Sequence, residues 1–152
     1  MQKPRWPVEG GCRCGRVRFR LAGPPLIEMA CHCRGCQRMS ASAFSTTLIV
    51  ASADFTLLQG DTEIGGIHGD QGQHHHCPWC KGWIYTKAVA APDSINVRAT
   101  LLDDPSWFAP WAETQTAEKL AWAATGAERS FERFPDASAF GSLLADYRAE
   151  RG

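Results

Sequence analysis

Seven cysteines stand in three tight groups: Cys12 and Cys14 as C-x-C, Cys31, Cys33 and Cys36 as C-x-C-x-x-C, and Cys77 and Cys80 as C-x-x-C. At spacings this short, two or three thiolates from one turn can reach a single cation, at about 2.3 Å per zinc–sulfur bond. Seven divides as four plus three: one closed tetrahedral site, and one site with three protein ligands and an open position. An odd count suits disulfides poorly. The run 1–7 (MQKPRWP) lacks the apolar stretch of a signal peptide, so the expected compartment is a reducing cytoplasm. Clustered thiols there are metal ligands or catalysts.

The chain has 152 residues, of which 44% are hydrophobic, enough for one core; the expectation is a single domain over 1–152. Lysine plus arginine and aspartate plus glutamate number 16 each, so the net charge is zero. Nucleic acid and anionic membrane usually demand a basic footprint, and the balance argues against both as partners. No apolar run is long enough to span a bilayer.

Strict alternation over 16–21 predicts a half-buried strand, and 26–31, 43–50, 55–58, 62–67, 83–86 and 95–98 read as further short strands. Turn signals recur about every ten residues. The expected fold class is therefore all-β, of short antiparallel strands. The C-terminus differs: Phe140, Leu143, Leu144 and Tyr147 repeat with helical spacing behind Asp136, a capping residue, and predict a helix over about 137–148. The stretch 116–124 has helical composition but lies between Pro110 and Gly126 and is left open between helix and loop.

In an extended chain residues i and i+2 share a face, so Cys12 and Cys14 can offer both sulfurs to one ion. Cys77-Pro78-Trp79-Cys80-Lys81-Gly82 is a knuckle whose Gly82 is expected to relieve strain where the chain folds back. Together Cys12, Cys14, Cys77 and Cys80 predict a structural zinc that ties the first strand to the middle of the chain. A thioredoxin-like redox pair at Cys77 and Cys80 would need a βαβ context that is absent.

Cys31, Cys33 and Cys36 predict a second zinc, catalytic, and either labile or empty. A zinc ion with three thiolates carries a charge of about −1, so a thiol entering the fourth position would arrive as thiolate and keep its nucleophilicity. The favoured chemistry is activation of an external thiol towards a carbon electrophile. Arg34 and Arg38 flank the loop and are candidate partners for substrate carboxylates. The competing reading closes the site with His32, His68, His74, His75 or His76; of these His32 is too near the thiolates for easy coordination.

These residues are similar to the family of glutathione-dependent formaldehyde-activating enzymes, whose zinc-binding β fold is often called Mss4-like. The family pattern G-G-C-x-C-G-x-V-R-F is matched by Gly10 to Phe19 throughout. The pattern C-H-C-x-x-C-R-R-x-S-G-A-x-F is followed from Cys31 to Phe44, with Gln37 in place of an arginine and the Ser-Gly-Ala turn altered to Ser40-Ala41-Ser42. The pattern F-C-x-x-C-G is followed at Cys77 and Cys80, with His76 and Lys81 at its ends. The resemblance spans about 9–136. It implies a structural zinc on Cys12, Cys14, Cys77 and Cys80, a second zinc on Cys31, Cys33 and Cys36 near a glutathione site, and a carbon–sulfur lyase joining glutathione to formaldehyde as S-hydroxymethylglutathione. The alternative is a non-catalytic, zinc-stapled binding module of the same fold.

Three further expectations concern single residues. Trp79, Trp83, Trp107, Trp111 and Trp122 are assigned to packing. Glu113 reads as an exposed loop carboxylate, with a proton shuttle as its sharper reading. Arg16, Arg18 and Arg20 read as solvated charge on one strand face.

Overall fold

The computed structural model describes residues 2–67 and 72–152. His68, one of the candidate fourth ligands, lies outside them. In chain order the elements are β1 (Val8–Gly11), β2 (Arg18–Leu21), β3 (Ile27–Cys31), α1 (Arg34–Ser40), β4 (Ser45–Ala51), β5 (Phe55–Gln59), β6 (Glu63–Gly65), β7 (Gly72–His76), β8 (Trp83–Ala88), β9 (Ser94–Val97), β10 (Ala112–Thr114), β11 (Arg129–Ser130) and α2 (Ala137–Arg151). The chain forms two compact units, the first from Met1–Pro25 and Ile49–Phe108, the second from Leu26–Leu48 and Ala109–Gly152.

The first unit is antiparallel. One sheet has the order β1-β2-β5; the strands β9-β8-β7-β6 run in a second. The alternation along β2 divides its residues as a strand should. Phe19 and Leu21 are fully buried. Arg18 instead makes a two-pronged pair with Asp103, and Arg20 meets Glu9 at 2.7 Å. Phe19 stacks on Phe55 at 5.7 Å, and Phe55 leans on Tyr85 at 4.7 Å. Arg16 departs from the expectation of one charged face: it lies outside β2 and stacks over the Trp79 ring at 3.8 Å.

The second unit is built on β3, whose first four residues are all buried. Beside it runs β10 and beside that β11, both pairings parallel; β4 flanks β3 on the other side. The parallel pairs are absent from the sequence expectation because β10 and β11 are three and two residues long, too short to show a period. The helix α2 starts as predicted, with the Asp136 carboxylate accepting from the Ala139 amide at 2.9 Å, and runs three residues past the expected end. Leu143 and Tyr147 are its buried residues, and Tyr147 meets Trp111 edge-on at 5.4 Å. The open stretch 116–124 resolves as a single 3-10 turn, Thr116–Glu118, followed by irregular chain. Of the tryptophans, Trp107 and Trp111 are buried as expected. Trp79 and Trp122 are 66% and 75% exposed, so packing does not account for them. No helix among the described residues is long and apolar enough to cross a membrane.

Candidate functional site

The sulfurs of Cys12, Cys14, Cys77 and Cys80 all lie within 4.8 Å of one another. Cys12 to Cys14 is 3.5 Å and Cys14 to Cys77 is 3.7 Å. A tetrahedron of sulfurs at 2.3 Å from its centre has edges of about 3.8 Å, so the donor set fits a thiophilic ion of zinc's size. Two turns create it. Gly15, with φ of +79°, closes the first by donating its amide to the Cys12 carbonyl at 2.9 Å. In the knuckle the Cys77 amide donates to Gly82 and the Lys81 amide to Cys77, both at 3.0 Å. The left-handed residue there is Lys81, at φ +60°, and not Gly82 as the sequence suggested. Burial pushes the Cys80 thiol up, but the Gly82 and Cys14 amides and its neighbouring thiols outweigh it and bring it down to about 6.

The second group is Cys31, Cys33 and Cys36, with sulfurs again within 4.8 Å of one another. Cys31 ends β3. Cys33 is the N-cap of α1, where its sulfur accepts from the Cys36 amide at 3.3 Å. That cap explains why a seven-residue helix forms where the sequence shows only a loop: too short for a hydrophobic period, it starts on a thiol and stops at Ala41 with φ of +50°. The neighbouring Cys31 and Cys36 thiols hold Cys33 far below the usual thiol range, while Cys33 pushes Cys31 up, and Cys31 and then Cys33 push Cys36 up.

No histidine joins either group among the described residues. His74 pairs with Thr86 and His75 with Thr62, each at 2.8 Å, and His75 stacks on Tyr85 at 4.3 Å. His32 is fully buried between Cys31 and Cys33, and its ring turns to Glu113, with Nε2 to Oε2 at 2.8 Å. Arg34 and Arg38 are both exposed on α1. Arg34 donates its guanidinium to the side-chain amide oxygen Oε1 of Gln37.

Two residues carry more of this site than the sequence revealed. Glu113 is 5% exposed, on β10, and not the exposed loop residue expected. Burial raises its carboxyl, but Ser130 and Thr125 at 2.7 Å, His32, and Lys119 at 3.0 Å together hold it down at about 2. An acceptor so fully engaged and so acidic is a poor proton shuttle. Gln37, buried in α1, donates to the His32 carbonyl at 2.6 Å and the Glu118 carbonyl at 3.0 Å. The available signal was the histidine between two cysteines, since a buried ring needs a polar partner somewhere in the chain.

A family model described as glutathione-dependent formaldehyde-activating enzyme matches residues 7–118, which contain both cysteine groups. The chain belongs to this family. A Halomonas elongata protein provisionally named glutathione-dependent formaldehyde-activating enzyme is 25% identical over 166 aligned positions, covering 95% of this chain and 96% of its own. The fold is also that of a Rhodobacter sphaeroides crystal structure, with TM-score 0.52 at 18% identity over 63% of this chain and 88% of the other. The β fold expected from the short strands and the cysteine register, with the C-terminal helix expected behind Asp136, is the fold of this member of the formaldehyde-activating family.

Proposed function

We propose that this protein is a carbon–sulfur lyase that adds a thiol, glutathione, reversibly to formaldehyde in the cytoplasm, with zinc at both cysteine groups. The observation that carries the reading is the three-sulfur cluster of Cys31, Cys33 and Cys36, which has no fourth protein donor among the described residues. His32, the nearest imidazole in sequence, is committed to Glu113 instead. Three thiolates and an open position suit a catalytic ion, and four suit a structural one. A zinc held by Cys31, Cys33 and Cys36 would supply Lewis acidity that converts an incoming thiol into a thiolate near neutral pH.

The substrate sulfur then attacks the formaldehyde carbon. A carbon–sulfur bond forms, the carbonyl π pair moves to oxygen, and that oxygen takes up the proton the thiol lost. The reverse reaction breaks the same bond. Cys33 presents its sulfur from the first turn of α1, and Cys31 and Cys36 close the cluster around it. Arg38, exposed in the last turn of α1, is the candidate for a glutathione carboxylate; Arg34, tied to Gln37, shapes the loop and offers its remaining donors. Neutral net charge fits small-molecule substrates.

Exchange NMR on glutathione and formaldehyde, with and without protein, tests this, since the uncatalysed exchange is itself measurable. Wild type should accelerate exchange, and Cys33→Ala should not, while still binding one metal ion at the four-cysteine group. Wild type that neither binds glutathione nor speeds exchange would leave a metal-stapled binding module as the correct reading.

A further inference from the structure

Glu113 sits at the centre of the second unit's polar interior. Five hydrogen bonds from four side chains converge on its two oxygens. Oε2 accepts from His32, Thr125 and Lys119, and Oε1 from Ser130 and Lys119. The donors come from distant points of the chain: the cysteine loop, the segment after the 3-10 turn, the chain before β11, and β11 itself. A carboxylate accepts only, so the His32 nitrogen facing it carries the proton. The other nitrogen, Nδ1, is buried with no hydrogen-bond partner among the described residues.

His32 is held at three points. Its ring is fixed by Glu113, its amide donates to the Thr114 carbonyl at 3.0 Å, and its carbonyl accepts from Gln37. Its two chain neighbours are Cys31 and Cys33, so whatever fixes this residue fixes the backbone that aims both sulfurs. The ring also packs edge-on against Phe44 at 5.4 Å. A buried polar network this fully satisfied rigidifies the groups it joins.

We infer that Glu113 is a positioning residue for the Cys31–Cys33–Cys36 cluster, acting through His32 and touching neither substrate nor metal. The inference rests on the reading of that cluster as a metal site, and extends it to a residue on another strand. Loss of a partner bonded directly to a metal ligand typically changes affinity 10–100-fold; Glu113 stands one residue further out, so the low end of that range, about tenfold, is expected here.

The test is Glu113→Gln, which keeps the shape and removes the charge. Cobalt(II) titration against a chelator should show affinity at the three-cysteine cluster falling about tenfold, with altered visible bands, while the four-cysteine group keeps its affinity. In metal-free protein, iodoacetamide labelling followed by mass spectrometry should show the relative rates at Cys31, Cys33 and Cys36 changed, with those of the four-cysteine group unchanged. His32→Asn should reproduce both effects, and the double variant should lose no more than either single one. If Glu113→Gln is too unstable to purify, Glu113→Asp and His32→Asn carry the same two readouts. Unchanged cobalt affinity and labelling in folded variants, or additive losses in the double variant, would overturn the inference. Wild type that takes no cobalt at Cys31, Cys33 and Cys36 would instead sink the functional reading, and labelling alone would then decide the role of Glu113.

Discussion

Two residues stand in the left-handed region at positions where the family pattern has glycine. Ala41 ends α1 at φ +50°, and Lys81 closes the knuckle at φ +60°. An L-residue there costs roughly 1–2 kcal/mol from the contact of its Cβ with the carbonyl oxygen. In both places a residue with a side chain holds a conformation that glycine adopts without strain. Lys81→Gly should therefore stabilise the first unit by about 1 kcal/mol. The loss of the exposed Lys81–Glu63 ion pair offsets only a few tenths of that. A thermal melt of the metal-loaded protein should show Tm rising by about 1–3 °C. A lower Tm would mean that Lys81 is held by more than its turn.

At the scale of elements, β1 is seated at Gly10, where no side chain larger than hydrogen fits without a shift. A Cβ on Gly10 would lie 2.4 Å from the Leu101 carbonyl oxygen and 2.7 Å from the Phe19 ring, neither of which is a flexible tip. Gly10→Ala should cost about 1–3 kcal/mol, as overpacking does, and chemical denaturation should show the midpoint falling with an unchanged slope. How much of each element could be read from the chain depended on its length. Strands with a visible period, such as β2 and β4, were legible to within two residues at either end. The helix α2 was legible from its cap. By contrast β1, β7, β10, β11 and α1 were not: four are five residues or fewer, and α1 rests on a sulfur cap that propensity does not recognise. The cysteines were legible as two groups because their spacing is a chemical requirement. Glu113 was not, because its meaning comes from four donors that only the folded chain assembles.

For the whole molecule, the seven thiols divide the work as four and three, and that division is open to measurement. Removing one ligand from the larger group, by Cys77→Ser, should lower stability by several kcal/mol, on the order of losing a structural metal, and reduce zinc content by one equivalent. In wild type, mild chelation should strip the Cys31–Cys33–Cys36 cluster first, since three ligands and an open position admit competitors. Zinc release followed with a chromophoric chelator should show two phases; a single phase would contradict two distinct centres. Synthesis adds a consequence of its own. Cys14 and Cys77 touch across 63 positions of sequence. A ribosome adding roughly 5–20 residues per second makes the second about 3–13 s after the first. Throughout that interval the Cys12–Cys14 pair is a bare dithiol on a growing chain, open to oxidants and to the wrong metal, and the first unit cannot close until its partner pair emerges.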